Sequence, residues 1–164
     1  MQNNYLHEVV VTAIVVKDAK FLIVQRSRTE KRFPGYWTVP GGKIDVADYT
    51  SWPKDTHGYW YNILEKTLKR EVKEETGLEI KDIDYLTSLA TVHKDKNPSL
   101  VISCMANHKS GKIALQEDEL QGYAWVSAKE AKDYQLIDGI LDEIIMAEEK
   151  LNTGRKKEWS RHSI

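Results

Sequence analysis

The sequence predicts a single α/β domain, and three observations support this fold class. Two β-branched runs, 9–16 and 21–24, flank a short polar turn, which is typical of a β-hairpin. The segment 62–76 has apolar residues spaced four apart, and the segment 136–151 carries a second helical apolar stripe. A chain of 164 residues is also the size of one ordinary domain.

The remaining elements follow from local patterns. Further strands are expected at 37–42, 86–92, 100–106, 113–115 and 124–126, and the first of them ends in a Pro-Gly-Gly bend. Asn62 is expected to cap the first helix and Gly77 to end it, and Ser127 with Glu130 predicts a capping box. We expect the domain to span residues 1–151, followed by a loose polar and basic tail at 152–164.

Composition excludes several classes of protein. The 24 basic and 25 acidic residues nearly cancel, so no global field attracts nucleic acid or an anionic membrane. Cys104 is the single cysteine, which excludes an internal disulfide and a cysteine-rich zinc site. The apolar run 9–16 is too short to span a bilayer and lacks the flanks of a signal peptide. We therefore expect a cytoplasmic protein that binds neither a nucleic acid polymer nor a membrane.

The first helix carries the residues that suggest chemistry. Glu71, Glu74 and Glu75 lie beside its apolar side, and Glu71 and Glu75 are four residues apart. Two like charges at this spacing destabilise a helix unless a cation lies between them. Arg70 can pair with Glu74 and orient Glu71, but one arginine does not neutralise three carboxylates. A bound cation would.

Oxygen ligation rich in carboxylates suits a hard cation such as Mg²⁺, which also binds substrate phosphate oxygens. Metal ions in such a site screen a polyphosphate, polarise the attacked phosphorus and lower the pKa of a bound water. The glutamates therefore indicate phosphate chemistry.

These residues resemble the signature of a known family. Pro40-Gly41-Gly42-Lys43 and the segment 70–78 (Arg-Glu-Val-Lys-Glu-Glu-Thr-Gly-Leu) are similar to the box of the Nudix hydrolases, G-x5-E-x7-R-E-U-x-E-E-x-G-U, where U is aliphatic. The second half matches at every specified position. The first half departs from the pattern: 70 − 42 − 1 = 27 residues separate Gly42 from Arg70, where the pattern has thirteen. Asn62 also stands where the family has its first glutamate.

The resemblance implies an α/β/α sandwich around a mixed β-sheet, and hydrolysis of nucleoside diphosphates linked to another group. It implies that Glu71, Glu74 and Glu75 bind Mg²⁺, with Mn²⁺ as the alternative ion. The carbonyl of Gly41 is a further candidate ligand. Glu71 is the favoured base, and Arg70 would hold it in place.

Other site residues are weaker candidates. Some family members take an additional acid from a loop before the last strand, where Glu119 stands, with Glu117 as the alternative. Both residues also fit an exposed acidic loop. Lys43 and Arg26 are candidates for phosphate contacts. Trp37 is a candidate for stacking on a base, although an aromatic residue in a strand is more often part of the core.

The residues inserted in the box, about 46–61, are rich in aromatic side chains, including Tyr49, Trp52, Tyr59 and Trp60. These rings can pack the loop onto the domain, or form the contact of a homodimer. They can also shape a pocket for a base. We favour packing.

The leading hypothesis is a nucleoside triphosphate pyrophosphohydrolase that releases a monophosphate and pyrophosphate from a small nucleotide. Hydrolysis of ADP-ribose or of a dinucleoside polyphosphate is the alternative within the family. A non-catalytic Nudix-like nucleotide sensor is a different class, which the complete set of box glutamates disfavours. A plain interaction domain does not explain the like-charge pair.

Overall fold

The computed structural model describes residues 5–162, which form a mixed sheet with helices on both faces. The strands are β1 (Glu8–Lys17), β2 (Lys20–Arg26), β3 (Trp37–Thr38), β4 (Gly41–Lys43), β5 (Glu79–Val92), β6 (Pro98–Ser110) and β7 (Leu120–Val126). The helices are α1 (Val46–Thr50), α2 (Ile63–Thr76), α3 (Ala128–Ala131) and α4 (Ile140–Thr153). None of the helices in this part of the chain is long and apolar enough to cross a bilayer.

The predicted hairpin of β1 and β2 is confirmed, since the two strands pair in antiparallel fashion with Val16 opposite Phe21. Strand β1 also pairs in parallel with β6, from Glu8 opposite Ser99 onward. The strand order is β3-β2-β1-β6-β5, while β4 pairs with β1 and β7 pairs with β2. One parallel pair among antiparallel pairs makes the sheet mixed. Its central strand, β1, pairs with β4, which carries Gly41 and Gly42 of the candidate site.

The predicted α/β/α sandwich is confirmed by the two hydrophobic clusters on the sheet. Successive side chains of a strand point to opposite faces. Val11 and Val15 of β1 therefore pack with α2, through residues such as Leu68. Ile14 points the other way and packs with α4, through residues such as Ile144.

Helix α2 follows the prediction closely, with one correction at its start. Gly77 ends the helix with φ +75°, a conformation that glycine adopts without strain. Asn62 was expected to cap the first turn, but its side chain makes no capping hydrogen bond. Its backbone is left-handed, with φ +57°, whereas a side-chain cap requires an extended backbone at this position.

The strand expected at 113–115 does not form. After Gly111 the backbone leaves the sheet and bonds to the end of α2 instead. The N–H of Ala114 donates to the carbonyl of Thr76 at 2.9 Å, and that of Gln116 donates to the carbonyl of Glu75 at 3.0 Å. This segment therefore satisfies the free carbonyls of a helix terminus.

The last helix begins later than the apolar stripe predicted. Leu136 and Ile137 pack on the α4 side of the core, but Leu136 bridges Trp37 in extended conformation before α4 starts at Ile140. Gly139, with φ +93°, directly precedes the first residue of α4. The apolar residues on both sides of it pack on the same core, so the apolar stripe is longer than the helix.

The tail was expected to be loose, and this expectation is wrong for its described end. Asp142, buried in the first turn of α4, accepts hydrogen bonds from Arg161 Nη1 at 3.1 Å and from the backbone N–H of His162 at 2.7 Å. Arg161 also pairs with Asp138. A buried carboxylate needs such partners, so it fixes the chain that supplies them.

The insertion at 46–61 folds on itself. Asp45 and Asp48 form a capping box for α1, the rings of Tyr49 and Trp60 lie 5.4 Å apart, and the indole N–H of Trp60 donates to the carbonyl of Trp52 at 2.9 Å. Neither of the two core clusters found among residues 5–162 includes a residue of this segment. Trp52 also contacts α2, since Lys66 Nζ lies 5.3 Å from the centre of its ring, so the segment packs on itself and on the start of α2.

Glu143 of α4 provides a test of core electrostatics. Its side chain is 1% exposed, one carboxylate oxygen has no hydrogen-bond partner, and burial raises its pKa from 4.5 to about 6. The folded chain thus holds the proton more tightly than the unfolded chain. The stability that this group contributes is complete below pH 4.5 and is lost as the pH rises through 6.

Glu143→Gln carries a side chain that stays neutral at every pH. We therefore expect its free energy of unfolding, relative to that of the wild type, to be about 2 kcal/mol higher at pH 8 than at pH 4. The measurement is denaturant unfolding of both proteins from pH 4 to pH 8. Glu148→Gln on the same helix is the control, because Glu148 makes no ion pair within residues 5–162. A difference that does not change with pH would contradict the expectation.

Candidate active site

Glu75 is the most buried of the three box glutamates, with 8% of its surface exposed. Its Oε2 accepts a hydrogen bond from the backbone N–H of Gly41 at 2.9 Å. Burial raises the pKa of this carboxyl to about 8, and the Gly41 N–H opposes the shift. A carboxylate placed here is costly to ionise unless a positive charge is close to it.

Glu71 lies one turn before Glu75 and packs against the Pro-Gly-Gly bend. A Cβ atom at Gly42 would lie 2.2 Å from Glu71 Cδ, so only glycine lets β4 approach the carboxylate this closely. The Glu71 side chain is 16% exposed. Burial raises its pKa, and the adjacent Arg70 guanidinium lowers it in part.

Arg70 joins three carboxylates. Its Nη1 donates to Glu74 at 2.9 Å, and its Nη2 donates to Glu71 and to Asp48, each at 2.8 Å. The pairs with Glu74 and Glu71 are those expected from the helix. Asp48 is a residue of the insertion that sequence reasoning did not identify. The acid-x-x-acid spacing of Asp45 and Asp48 marks a helix start, but nothing in it points to Arg70.

Glu119 and Arg26 both act on Glu75 through their charges. The charge of Glu119 raises the pKa of Glu75, and that of Arg26 lowers it. Glu119 is exposed, and its backbone carbonyl accepts the N–H of Ser27 at 2.7 Å, which holds its turn beside the end of β2. Of the two candidate acids, Glu119 is therefore the one whose charge has a marked effect on Glu75.

Lys43 and Arg26 line a cleft of about 930 Å³, whose lining includes none of the three box glutamates. Lys43 directly follows Gly42 and pairs with Glu8 at 2.8 Å, while Arg26 pairs with Glu30. The other lining residues come from the loop 29–34 and the turn 93–97. Among them, Lys31 and Lys94 make no ion pair within the described chain. Five lysine and arginine side chains and three carboxylates, those of Glu8, Glu30 and Asp95, line the cleft, which therefore has an excess of positive charge.

Trp37 packs on the other face of the sheet from α2. Its ring meets Tyr134 edge-on, with centroids 4.8 Å apart, and belongs to the cluster under α4. The ring is partly exposed. Of the two interpretations given for Trp37, its contacts agree with the core.

The carboxylates do not converge in this structure. Within residues 5–162, no three Asp, Glu, His or Cys side chains are close enough together to hold a metal ion. Arg70 draws Glu71 and Glu74 to itself, and Glu75 turns to the Gly41 N–H. The donor set nevertheless fits a divalent cation, because Glu75 and Glu71 are shielded from water and Arg70 supplies a single positive charge against three glutamates.

Comparison with known proteins assigns the family. The NUDIX domain model matches residues 6–145. The chain belongs to the NUDIX domain family. The match covers the sheet, α2 and the start of α4, and so includes all of the site residues described above.

Curated relatives share part of their length with this Nudix domain. The NAD-capped RNA hydrolase NudC of Actinobacillus succinogenes is 43% identical in an alignment of length 96 that covers 52% of this chain and 35% of that protein. The mitochondrial NAD(P)H pyrophosphatase NUDT13 of Mus musculus is 31% identical over 123 residues, 74% of this chain and 30% of that protein. This chain spans about a third of the length of these relatives.

Solved structures show the same fold. A MutT Nudix hydrolase from Burkholderia pseudomallei superposes with a TM-score of 0.65 at 20% identity, over 85% of this chain and 97% of that chain. The Nudix domain of Shewanella oneidensis NrtR, solved with ADP ribose, gives a TM-score of 0.67 at 22% identity, over 89% of each chain. These likenesses establish the arrangement of sheet and helices.

The close approach of Gly42 to Glu71 generates a prediction. In Gly42→Ala, the new methyl group should displace the Glu71 carboxylate, which is the flexible end of a side chain, and leave the fold intact. We expect the affinity for Mn²⁺, used as a probe of the glutamates, to fall about 10-fold or more.

Calorimetric titration with Mn²⁺ measures this effect, and a thermal melt checks the fold. Gly58→Ala is the matched control, because a Cβ atom at Gly58 meets nothing within 4 Å. Equal Mn²⁺ affinities in the two variants would show that the contact at Gly42 does not position Glu71 for a cation.

Proposed function

We propose that this Nudix domain hydrolyses an internal phosphoanhydride bond of a small nucleotide, with a divalent cation bound by the glutamates of α2. The observation that carries the proposal is the buried carboxylate of Glu75, which is hydrogen-bonded to Gly41 of β4, the strand whose Lys43 lines a cleft with an excess of positive charge. Burial makes the ionised form of this carboxyl unfavourable unless a positive charge is close to it. A bound divalent cation would supply that charge. The cationic cleft suits a polyphosphate.

The residues proposed to hold the cation are Glu71, Glu74 and Glu75, with the Gly41 carbonyl and Glu119 as further ligands. Nudix hydrolases generally use divalent metal ions, and we propose Mg²⁺ here, with Mn²⁺ as a substitute. When bound, such an ion neutralises phosphate charge and activates water. Rearrangement of Glu74 away from Arg70 would add its charge to the set, since its side chain is already 52% exposed.

The chain's own groups divide the remaining tasks. Lys43 and Arg26, which line the cleft, bind phosphate oxygens. Glu71 accepts the proton of the attacking water, and its burial suits this role because it raises the pKa of the carboxyl. Arg70 holds Glu71 in position through the bond from Nη2.

A nucleoside triphosphate is the first candidate substrate, giving a nucleoside monophosphate and pyrophosphate. A dinucleotide joined by a pyrophosphate is the second candidate, and two observations favour it. The relatives described above are named for hydrolysis of NAD-capped RNA and of NAD(P)H. The cleft of about 930 Å³ is also at the upper end of the range for small-molecule sites.

Removing one ligand charge tests the site. In Glu75→Gln and in Glu74→Gln, turnover at saturating Mg²⁺ should fall by about two orders of magnitude or more. Folding should survive in both, because the amide oxygen introduced by Glu75→Gln can still accept the Gly41 N–H and no apolar contact is lost. Steady-state kinetics and a thermal melt measure the two effects.

The matched control for these variants is Glu65→Gln, which removes an exposed charge from the same helix. Wild-type turnover in Glu75→Gln would refute the assignment of Glu75 as a ligand. An equal loss in Glu65→Gln would show that the helix responds to charge in general.

The bond that is cut can be read from the products formed in oxygen-18 water. Attack on an internal phosphorus of a nucleoside triphosphate gives the monophosphate and pyrophosphate, with the label in one of them. Attack on a dinucleotide gives two mononucleotides, one of them labelled. Mass spectrometry of both reactions also ranks the two candidate substrates, and formation of nucleoside diphosphate and orthophosphate would contradict the proposal.

A further inference from the structure

Asp48 connects the insertion to the candidate active site. It lies in α1, and its Oδ2 accepts hydrogen bonds from Arg70 Nη2 at 2.8 Å and from the backbone N–H of Asp45 at 3.0 Å. One oxygen atom therefore ties the first turn of α1 to the arginine of α2. The Arg70 contact spans 22 residues of sequence.

The same nitrogen of Arg70 serves Asp48 and Glu71. An Nη2 group carries two hydrogens, and here one points to each carboxylate. Because the guanidinium is planar and rigid, fixing one hydrogen of Nη2 also fixes the direction of the other. The position of Asp48 thus sets the direction from which Arg70 holds Glu71.

Asp48 is better suited to this role than Glu74, the remaining partner of Arg70. The Asp48 side chain is 18% exposed and that of Glu74 is 52% exposed. Solvent and salt screen the more exposed pair more strongly. Glu74 is also proposed to move toward a cation, which would leave Asp48 as the partner that keeps Arg70 in place.

The insertion itself holds Asp48 rigidly. The capping box with Asp45 fixes the start of α1, and the neighbouring residue Tyr49 packs on Trp60 near the start of α2. The aromatic rings that stabilise the loop therefore also locate the carboxylate. This gives the insertion a function that does not require contact with substrate.

We propose that Asp48 is a positioning residue for Glu71, which it orients through Arg70. The inference rests on the proposed function, because it takes Glu71 as the base and a ligand of the cation. In this proposal the insertion supplies the carboxylate that orients Arg70 of α2. In this role Asp48 acts through its hydrogen bond from Arg70.

The test compares Asp48→Ala with Asp45→Ala, which weakens the cap of the same helix but leaves the carboxylate on Arg70. We expect Asp48→Ala to lower kcat by about 10-fold to 100-fold and to weaken Mn²⁺ binding by a similar factor. KM should change little, since binding of the nucleotide in the cleft is unaffected. Asp45→Ala loosens the cap but keeps the Asp48 carboxylate and its bond from the Asp45 backbone N–H, so it should lower the melting temperature and lower kcat by much less than Asp48→Ala does.

A double-mutant cycle shows whether the effect passes through Arg70. In the background of Arg70→Gln, the further change Asp48→Ala should alter kcat and Mn²⁺ affinity by less than about twofold. Asp48→Glu, which keeps the charge, should recover part of the loss.

Three results would overturn the inference: equal losses of kcat in Asp48→Ala and Asp45→Ala, an undiminished loss in the Arg70→Gln background, or an unchanged Mn²⁺ affinity in Asp48→Ala. A wild-type protein that hydrolyses none of the nucleotides would refute the proposed function alone. The Mn²⁺ titrations would still decide the role of Asp48 in that case.

Discussion

The buried carboxylate of Glu75 is the constraint on which the rest of the site depends. The fold removes this group from water and gives it a single backbone donor, the N–H of Gly41, so its pKa rises to about 8. Such a group lowers stability unless it is protonated or bound to a cation. The arrangement is explained more readily by a function than by folding.

Close packing of β4 against its two neighbours explains the two glycines. A Cβ atom at Gly41 would lie 2.2 Å from the carbonyl oxygen of Val11, and one at Gly42 would meet Glu71. At these two positions β4 is packed between β1 and α2, with no room for a side chain. Helix α2 packs on this face of the sheet through Leu68 and Val72.

The charged side chains around the candidate site form two groups. On one side, Arg70 gathers carboxylates from α2 and from the insertion. In the second group, Lys43 and Arg26 line the cleft. The proposed nucleotide polyphosphate and divalent cation would together complement both groups. The insertion contributes to the first group through one short helix and leaves the hydrophobic core unchanged.

The sequence by itself determined the features that depend on neighbours in the chain. The hairpin of β1 and β2, the helix that ends at Gly77 and the placement of three glutamates along one side of that helix follow from strand and helix periodicity. Local capping patterns likewise located the start of α3. The resemblance of the box then indicated the α/β/α sandwich.

Tertiary structure alone decided the features that depend on distant partners. Residues 113–115 were predicted as a strand but bond to the end of α2, and the tail docks on Asp142. Asp48 meets Arg70 only because the insertion folds back over the helix. No periodicity records which distant donor will reach a buried acceptor, because that choice is made by the packing of the whole domain.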